Sequence, residues 1–567
     1  MSYLLKATPK HQVTPQTQTL PNSTQVHNNA GGFVWEVDDM TRMRRFICLG
    51  SEGGNYYTKE QQLTAENAQG IARLLAAGRG VEVVKELVEY SVAGRTAKQD
   101  PILFALAMCA RCKDPKVKAA AYEAVGQICR IPTFLFIFVA FVEAMEAGST
   151  GWGRGMRKAV SQWYLGRDAK DLAFAVTKYK QRNGWSHRDL LRLAHVKPKD
   201  DGHQLVFRYV TKGAEILVNY EETAPKKVEE EFDLCDTGVP VEGKVADVLE
   251  LLRTLEQVMK AEDASSQDQV CAAIRRFHLA REHLPTPLLN LVPVWDALLA
   301  DMPLTALIRN LAKMTSIGLL SPGNDQVKRV VAKITSEEQL RKARIHPFNV
   351  LVAAKVYAQG RGEKGSLTWT PVPSVSKALD DAFYLSFKNV EPTGQRVVVG
   401  LDVSGSMSCS VLGSEFIQCR EAAMAMSLVM ARTEPECRMM AFAGELVPLK
   451  GVNKKNTLEQ NLAATSGLPF GSTDCSLPMT WATKNRVEAD TFIVYTDNET
   501  YAGQMHPSKA LVEYRRVMKK PHAKLIVVGM AVNNFTIADP NDRGMLDIAG
   551  FDSAAPEIMR NFMLGLI

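Results

Sequence analysis

What the chain lacks narrows it first. No apolar run reaches the roughly 20 residues that a membrane-spanning helix needs. The longest, Ile131 to Val142, stops against Glu143 and Glu146. No signal segment opens the sequence, so a soluble protein with no membrane partner is expected. Ten cysteines are scattered through 567 residues. The one close pair, Cys109-Ala110-Arg111-Cys112, lies in an apolar helical pattern with no second Cys or His pair beside it. That argues against zinc and for packed thiols in a reducing, intracellular compartment. A Gly-x-Ser-x-Gly elbow is missing. The stretch Gly360-Arg361-Gly362-Glu363-Lys364-Gly365-Ser366 approaches a phosphate loop but has no Lys after its last glycine, and it follows a helical pattern rather than a strand. It reads as a linker. No His/Asp or Cys/His pattern suggests catalysis, and the chain reads as a non-enzyme.

What is present falls into three regions, more than one core can serve at this length. Residues 1–30, rich in Thr, Gln, Asn and Pro, read as a flexible N-terminal arm. Strand-like stretches follow at Phe33–Val37 and Phe46–Leu49. From about Thr64, segments of helical period succeed one another across short turns. Two open with Asp-Pro (Asp100-Pro101 and Asp114-Pro115), where Asp would cap and Pro take the first position. Many helices with short connections predict an α-solenoid over residues 31–365, although no strict repeat is visible. Over residues 366–567 strands alternate with helices, the signature of a doubly wound, mostly parallel α/β sheet. The predicted strands are Arg396–Leu401, Arg438–Phe442, Thr491–Tyr495 and Lys524–Gly529.

The first of these strands ends in "VVVGLDVSGSM", residues 397–407. Alternate residues of an extended segment share a side, so Asp402, Ser404 and Ser406 can converge. Asp497 follows another strand directly, and Thr473 sits in the small-residue loop Gly471-Ser472-Thr473-Asp474. Ligands bind beyond the carboxyl ends of such strands. Two carboxylates and three hydroxyls form the oxygen set of a hard divalent cation such as magnesium or calcium, with Mg2+ the one expected. In order and context the five residues resemble the metal-ion-dependent adhesion site (MIDAS) of von Willebrand factor A domains. That resemblance implies a docking site at which a protein partner supplies a carboxylate to the metal.

A second feature is charge. The whole chain carries +6, yet residues 151–200 hold twelve Lys or Arg against four Asp, a local +8. The remainder is therefore slightly acidic. Trp152, Trp163, Tyr164, Tyr179 and Trp185 are interleaved with these charges. Cations on consecutive solenoid helices would make one phosphate-binding surface, and the helix starting near Ser186 would offer its N–H groups to phosphate. The candidate RNA contacts are Arg154, Arg157, Lys158, Lys170, Lys178, Lys180, Arg182, His187, Arg188 and Arg192.

The stretches "STGWGRGMRKAV", "KYKQRNGWSHRDLLRLAHVKP" and "SEGGNYY", joined to the terminal A-type domain, resemble the TROVE (Ro ribonucleoprotein) family over essentially the whole chain. The resemblance implies HEAT-like helical repeats closing into a ring. It also implies a monomeric protein in a ribonucleoprotein of cytoplasm and nucleus, with small non-coding Y RNAs on the outer surface. Single-stranded ends of misfolded RNAs would enter the central hole, in RNA quality control. Two other classes stay open on the residues alone. One is an adaptor whose metal site captures an acidic protein. The other is a hydrolase using a metal at Asp402 and Asp497.

Overall fold

The computed structural model describes residues 13–49, 68–145, 152–218, 241–261, 264–362, 366–387, 391–409, 417–467, 471–531 and 533–567. The stretch "SEGGNYY", the acidic run after Glu221 and the middle of the Gly-rich linker lie outside them.

Helices of the first region are α1 (Asp39–Leu49), α2 (Gln69–Ala76), α3 (Gly80–Ala93), α4 (Asp100–Arg111), α5 (Pro115–Ile128), α6 (Pro132–Ala144), α7 (Arg154–Leu165), α8 (Ala169–Lys178), α9 (His187–Ala194) and α10 (Asp201–Lys212). They continue as α11 (Val241–Met259), α12 (Gln267–Phe277), α13 (Val292–Asp301), α14 (Leu304–Ser316), α15 (Asp325–Ile334), α16 (Glu337–Lys342), α17 (Pro347–Gln359) and α18 (Pro373–Leu385). Helices α3 and α5, α4 and α6, α5 and α7, and α7 and α9 pack in next-but-one pairs, the stacking of a solenoid. Helix α4 is apolar on every side and is enclosed almost completely from Pro101 to Ala107. Among the described residues no helix is long and apolar enough to cross a membrane.

The second region is built on a six-stranded sheet of order β11-β9-β8-β5-β6-β7. Its strands are β5 (Val397–Asp402), β6 (Cys437–Phe442), β7 (Leu446–Val447), β8 (Thr491–Thr496), β9 (Lys524–Gly529) and β11 (Met545–Ala549). All pairings are parallel except that of the edge strand β7. The flanking helices are α19 (Cys419–Thr433), α20 (Leu458–Ser466), α21 (Leu477–Lys484), α22 (Pro507–Val517) and α23 (Ala555–Met563). Side chains of β5 alternate between two cores. Val397, Val399 and Leu401 join the core shared with the helical region, and Val398 joins the core on the opposite face. Gly400 is where α21 comes close, since a Cβ there would lie 2.6 Å from the Pro478 ring.

Four expectations are corrected. The N-terminal arm is docked from residue 13 onward. Strands β1 (Val26–His27) and β2 (Phe33–Glu36) pair with each other, and β2 pairs with β10 (Phe535–Thr536) of the sheet region. Its polar residues bond buried groups, which a composition count misses. Phe46–Leu49 is helical, because Met40, Met43, Phe46 and Ile47 recur at helical spacing and bury one face of α1. Asp114 caps α5 through the Lys116 N–H, whereas at α4 Asp100 is already the first helical residue and Gln99, in the cap position, makes no side-chain cap bond. The boundary near residue 365 falls too early, since α18 packs on α15 and α17 and so belongs to the helices.

Both ends of the helical run rest on the sheet region. Arg95, just after α3, holds Asp552 with two bonds of 3.1 and 2.6 Å. His346, before α17, donates from Nε2 to the carbonyls of Phe551 (2.7 Å) and Arg95 (3.2 Å). Early and late helices therefore meet at one junction with the C-terminal segment.

Candidate metal centre and basic surface

From β5 the chain passes to β6 on one side and returns to β8 on the other, so strand order reverses between β5 and β8. A crevice opens there beyond the carboxyl ends. Asp402 is the last residue of β5 and Asp497 follows β8 at once. Asp402, Ser404, Ser406, Thr473 and Asp497 are each at most 3% exposed. The Ser404 N–H donates to Asp402 Oδ1 at 2.9 Å, the Thr496 hydroxyl donates to Oδ2 at 2.7 Å, and the Ser404 and Ser406 hydroxyls lie 3.2 Å apart. The Thr473 loop is pinned to both strand ends. Gly405 N–H donates to the Gly471 carbonyl at 3.4 Å, and the Thr473 carbonyl accepts from Tyr501 and Ala502 N–H groups at 3.0 Å.

Asp497 Oδ1 accepts from the Glu499 N–H at 3.2 Å and the Ser406 hydroxyl neighbours the carboxylate, but Oδ2 is buried without a hydrogen bond of normal geometry. Burial raises both carboxyls above the usual carboxylate range, and the nearby Asp402 charge pushes Asp497 further. An orphaned oxygen beside a second buried carboxylate is costly in a plain polar core. A hard cation with oxygen ligands would relieve both, so the donor set fits such an ion. Among the described residues no three His, Cys, Asp or Glu side chains gather into a metal group, so hydroxyls must complete any shell here. The sequence pattern does not reveal Thr496, the hydroxyl that orients Asp402; its signal is only its place at the end of β8.

The basic stretch folds as α7, α8, a short hairpin and α9. Strands β3 (Gln181–Arg182) and β4 (Trp185–Ser186) are joined by Asn183-Gly184, whose φ values of 50° and 78° make a tight left-handed turn. The hairpin interrupts the succession of helices expected here. Trp185 lies 6.1 Å from Trp152, which brings the hairpin beside the start of α7, and α7 packs on α9. Arg154, Arg157, Lys158, Lys180, Arg182, Arg188 and Arg192 are exposed on these adjoining elements. Lys178 is half-buried, its ammonium over the Phe174 and Tyr179 rings. Lys170 is exposed on α8 but faces Asp247 of α11 at 3.9 Å, apart from the others.

His187 is a correction. It is 2% exposed and enclosed by Phe136, Trp163 and Tyr164. Nε2 donates to the Tyr179 carbonyl at 3.0 Å, so Nδ1 accepts from the Tyr164 hydroxyl at 2.7 Å. Burial lowers its pKa to about 3, and the ring is a neutral structural group that offers nothing to RNA. His195, by contrast, is exposed at the end of α9. The α9 N-terminus is also spoken for. Ser186 and Asp189 form a capping box, and the Asp189 carboxylate occupies the place a phosphate would take.

Comparison with known proteins accords with both halves. The TROVE domain family matches residues 26–356, more than half of the chain, and the Ro60 vWA domain family matches residues 396–563. The RNA-binding protein RO60 of Caenorhabditis elegans is 42% identical over 588 residues, covering 96% of this chain and 90% of that one. The protein of the same name in Deinococcus radiodurans is 38% identical, covering 97% of each. The crystal structure of the Deinococcus radiodurans RO (RSR) protein superposes with a TM-score of 0.66 at 36% identity, covering 94% of this chain and all of that one. This chain thus belongs to the Ro60 family, a TROVE domain followed by a Ro60-type von Willebrand factor A domain.

Proposed function

We propose that the chain is a non-catalytic RNA-binding scaffold of a ribonucleoprotein. Its relatives are named RNA-binding proteins. The observation that carries the reading here is the run of exposed cations on α7, the β3–β4 hairpin and α9. Such cations bind phosphates without reading sequence, while exposed single strands add stacking on aromatic or guanidinium planes. The RNA classes are those of the family resemblance. Small non-coding Y RNAs take the outer helical surface, misfolded RNAs thread a single-stranded end into the ring, and quality control proceeds in cytoplasm and nucleus.

At the metal centre, Asp402, Ser404, Ser406, Thr473 and Asp497 would hold Mg2+. The ion would supply an electrostatic anchor for a partner's carboxylate. The chain's own part is to present oxygens in a fixed crevice and keep bulk water from the buried carboxylates. An adaptor that works through this site alone should carry no RNA protected from ribonuclease, whereas the scaffold should.

The triple charge reversal R157E/R182E/R188E tests the RNA reading. RNA affinity should fall at low salt, and the log–log salt slope should flatten by roughly one for each phosphate that is no longer neutralised. Unchanged affinity and slope would remove this surface from RNA binding.

A further inference from the structure

We propose that Gln16 is a positioning residue of the metal centre. It holds the Thr473 loop and the Asp497 loop in fixed relation, which makes the segment 13–33 part of that centre. The inference rests on the reading of Asp402, Ser404, Ser406, Thr473 and Asp497 as a cation site.

Gln16 is fully buried, though it is remote in sequence from everything it touches. Its amide nitrogen donates to Asp474 Oδ1 at 2.8 Å and to the Met505 carbonyl at 2.9 Å. Its amide oxygen accepts from the Thr500 hydroxyl at 2.6 Å. Asp474 is the neighbour of Thr473, and Thr500 stands three residues beyond Asp497. One planar amide thus spans the two loops that deliver those ligands. A primary amide is suited to this task because it presents a donor to the carboxylate and an acceptor to the hydroxyl at once. Being neutral, it also adds no charge beside the ion.

The rest of the segment supports the Asp497 loop. Asn28 donates to the carbonyls of Asn498 (3.2 Å) and Thr500 (2.8 Å). The Asn29 amide and the Ala30 N–H bond the two carboxylate oxygens of Glu499 at 2.6 and 3.0 Å. Backbone bonds fix Gln16 itself: its N–H donates to the Gly503 carbonyl at 3.0 Å, and its carbonyl accepts from the Phe33 N–H at 2.8 Å. The approach is too close for side chains. A Cβ on Gly32 would overlap the Thr500 carbonyl, and one on Gly503 would overlap the Gln16 amide and the Asp474 carboxylate. Ligand loops held by polar groups rather than by apolar packing depend on those groups for their geometry, and loss of such supports typically weakens metal affinity about 10–100-fold.

The test is Mn2+ binding to the full chain, read from the free-ion EPR signal, for wild type, D402A, Q16M and N29A. Methionine keeps the volume of Gln16 and removes its hydrogen bonds. Wild type should bind Mn2+ and D402A should not. Q16M should bind about tenfold more weakly. N29A should bind about threefold more weakly, with an unchanged metal-free melting temperature, because Asn29 is exposed and bonds the loop only from outside. Binding by Q16M within twofold of wild type, with D402A abolishing it, overturns the role of Gln16. If Q16M fails to fold, unaltered Mn2+ affinity in N29A overturns the segment's role instead. A wild type that binds no Mn2+, or a D402A chain that still binds it, overturns the metal reading and this inference with it.

Discussion

At the residue scale, similar side chains take opposite roles according to burial. His187 and His195 are eight residues apart, yet one is a neutral buried acceptor and the other stands in solvent. His187, His283 and His346 have pKa values lowered to about 3, 4 and 4, with burial as the largest cause. The sign follows from linkage. In the unfolded chain these rings take up protons near their ordinary value, while in the folded chain they resist. Stability is therefore fully present above about pH 6.5 and is lost as pH falls toward the folded values. Between pH 7.5 and 5.5 each ring should cost about 1.4 kcal/mol. Denaturant midpoints measured across that window should fall steeply for wild type. Replacing His187 by Gln should reduce its pH dependence by about a third of the histidine share.

At the element scale, the β3–β4 hairpin is the clearest case of local chemistry with a functional consequence. Gly184 is exposed, and nothing lies within 4 Å of a Cβ built on it, so a side chain there acts only through the backbone. Its φ of 78° is a conformation that a β-branched residue resists. Gly184→Val should fray the hairpin and let Lys180 and Arg182 drift from the α7 surface. RNA affinity should drop while the global melting temperature moves by no more than about 2 °C, the shift of a local cost near 0.5–1 kcal/mol in a large protein. An unchanged affinity would mean that the hairpin takes no part in RNA binding. The turn residues themselves are legible in the sequence. The pairing of Arg182 with Trp185 is not, because two-residue strands have no periodicity to read.

At the scale of the whole molecule, the two domains do not behave as beads on a linker. Arg45 of α1 is fully buried in the sheet region. Its Nη1 donates to the Asn533 carbonyl (3.0 Å), Asn533 Oδ1 (2.6 Å) and the Phe535 carbonyl (2.8 Å), and its Nη2 meets Asp547 at 2.6 Å. The Asn533 side chain in turn donates to the Asp497 carbonyl at 2.5 Å, which links the first helix to the crevice beyond β5 and β8 in two steps. Truncation by Arg45→Ala would leave the largely buried Asp547 without its charged partner, with only the Thr536 hydroxyl beside it, a loss of up to about 3 kcal/mol. Chemical denaturation should show it as a lower midpoint, with the double variant R45M/D547L recovering most of the loss. If R45A alone keeps the wild-type midpoint, the interface does not depend on this pair.

The sequence by itself determined the class of each half and the five oxygen-bearing residues, Asp402, Ser404, Ser406, Thr473 and Asp497, proposed as cation ligands. Hydrophobic period, strand-end position and residue chemistry are local properties, written within a few residues of where they act. It also determined where positive charge accumulates, since a count needs no structure. Only the tertiary structure decided which of those cations are exposed and that His187 is sealed in the core. The same holds for Gln16, Asn28 and Arg45 of the N-terminal segment, which bond groups of a domain that begins some 350 residues later. Those outcomes depend on contacts remote in the chain, tens of positions for His187 and hundreds for the N-terminal segment, and a polar side chain gives no sign of whether it will meet water or a buried partner until the chain around it has closed.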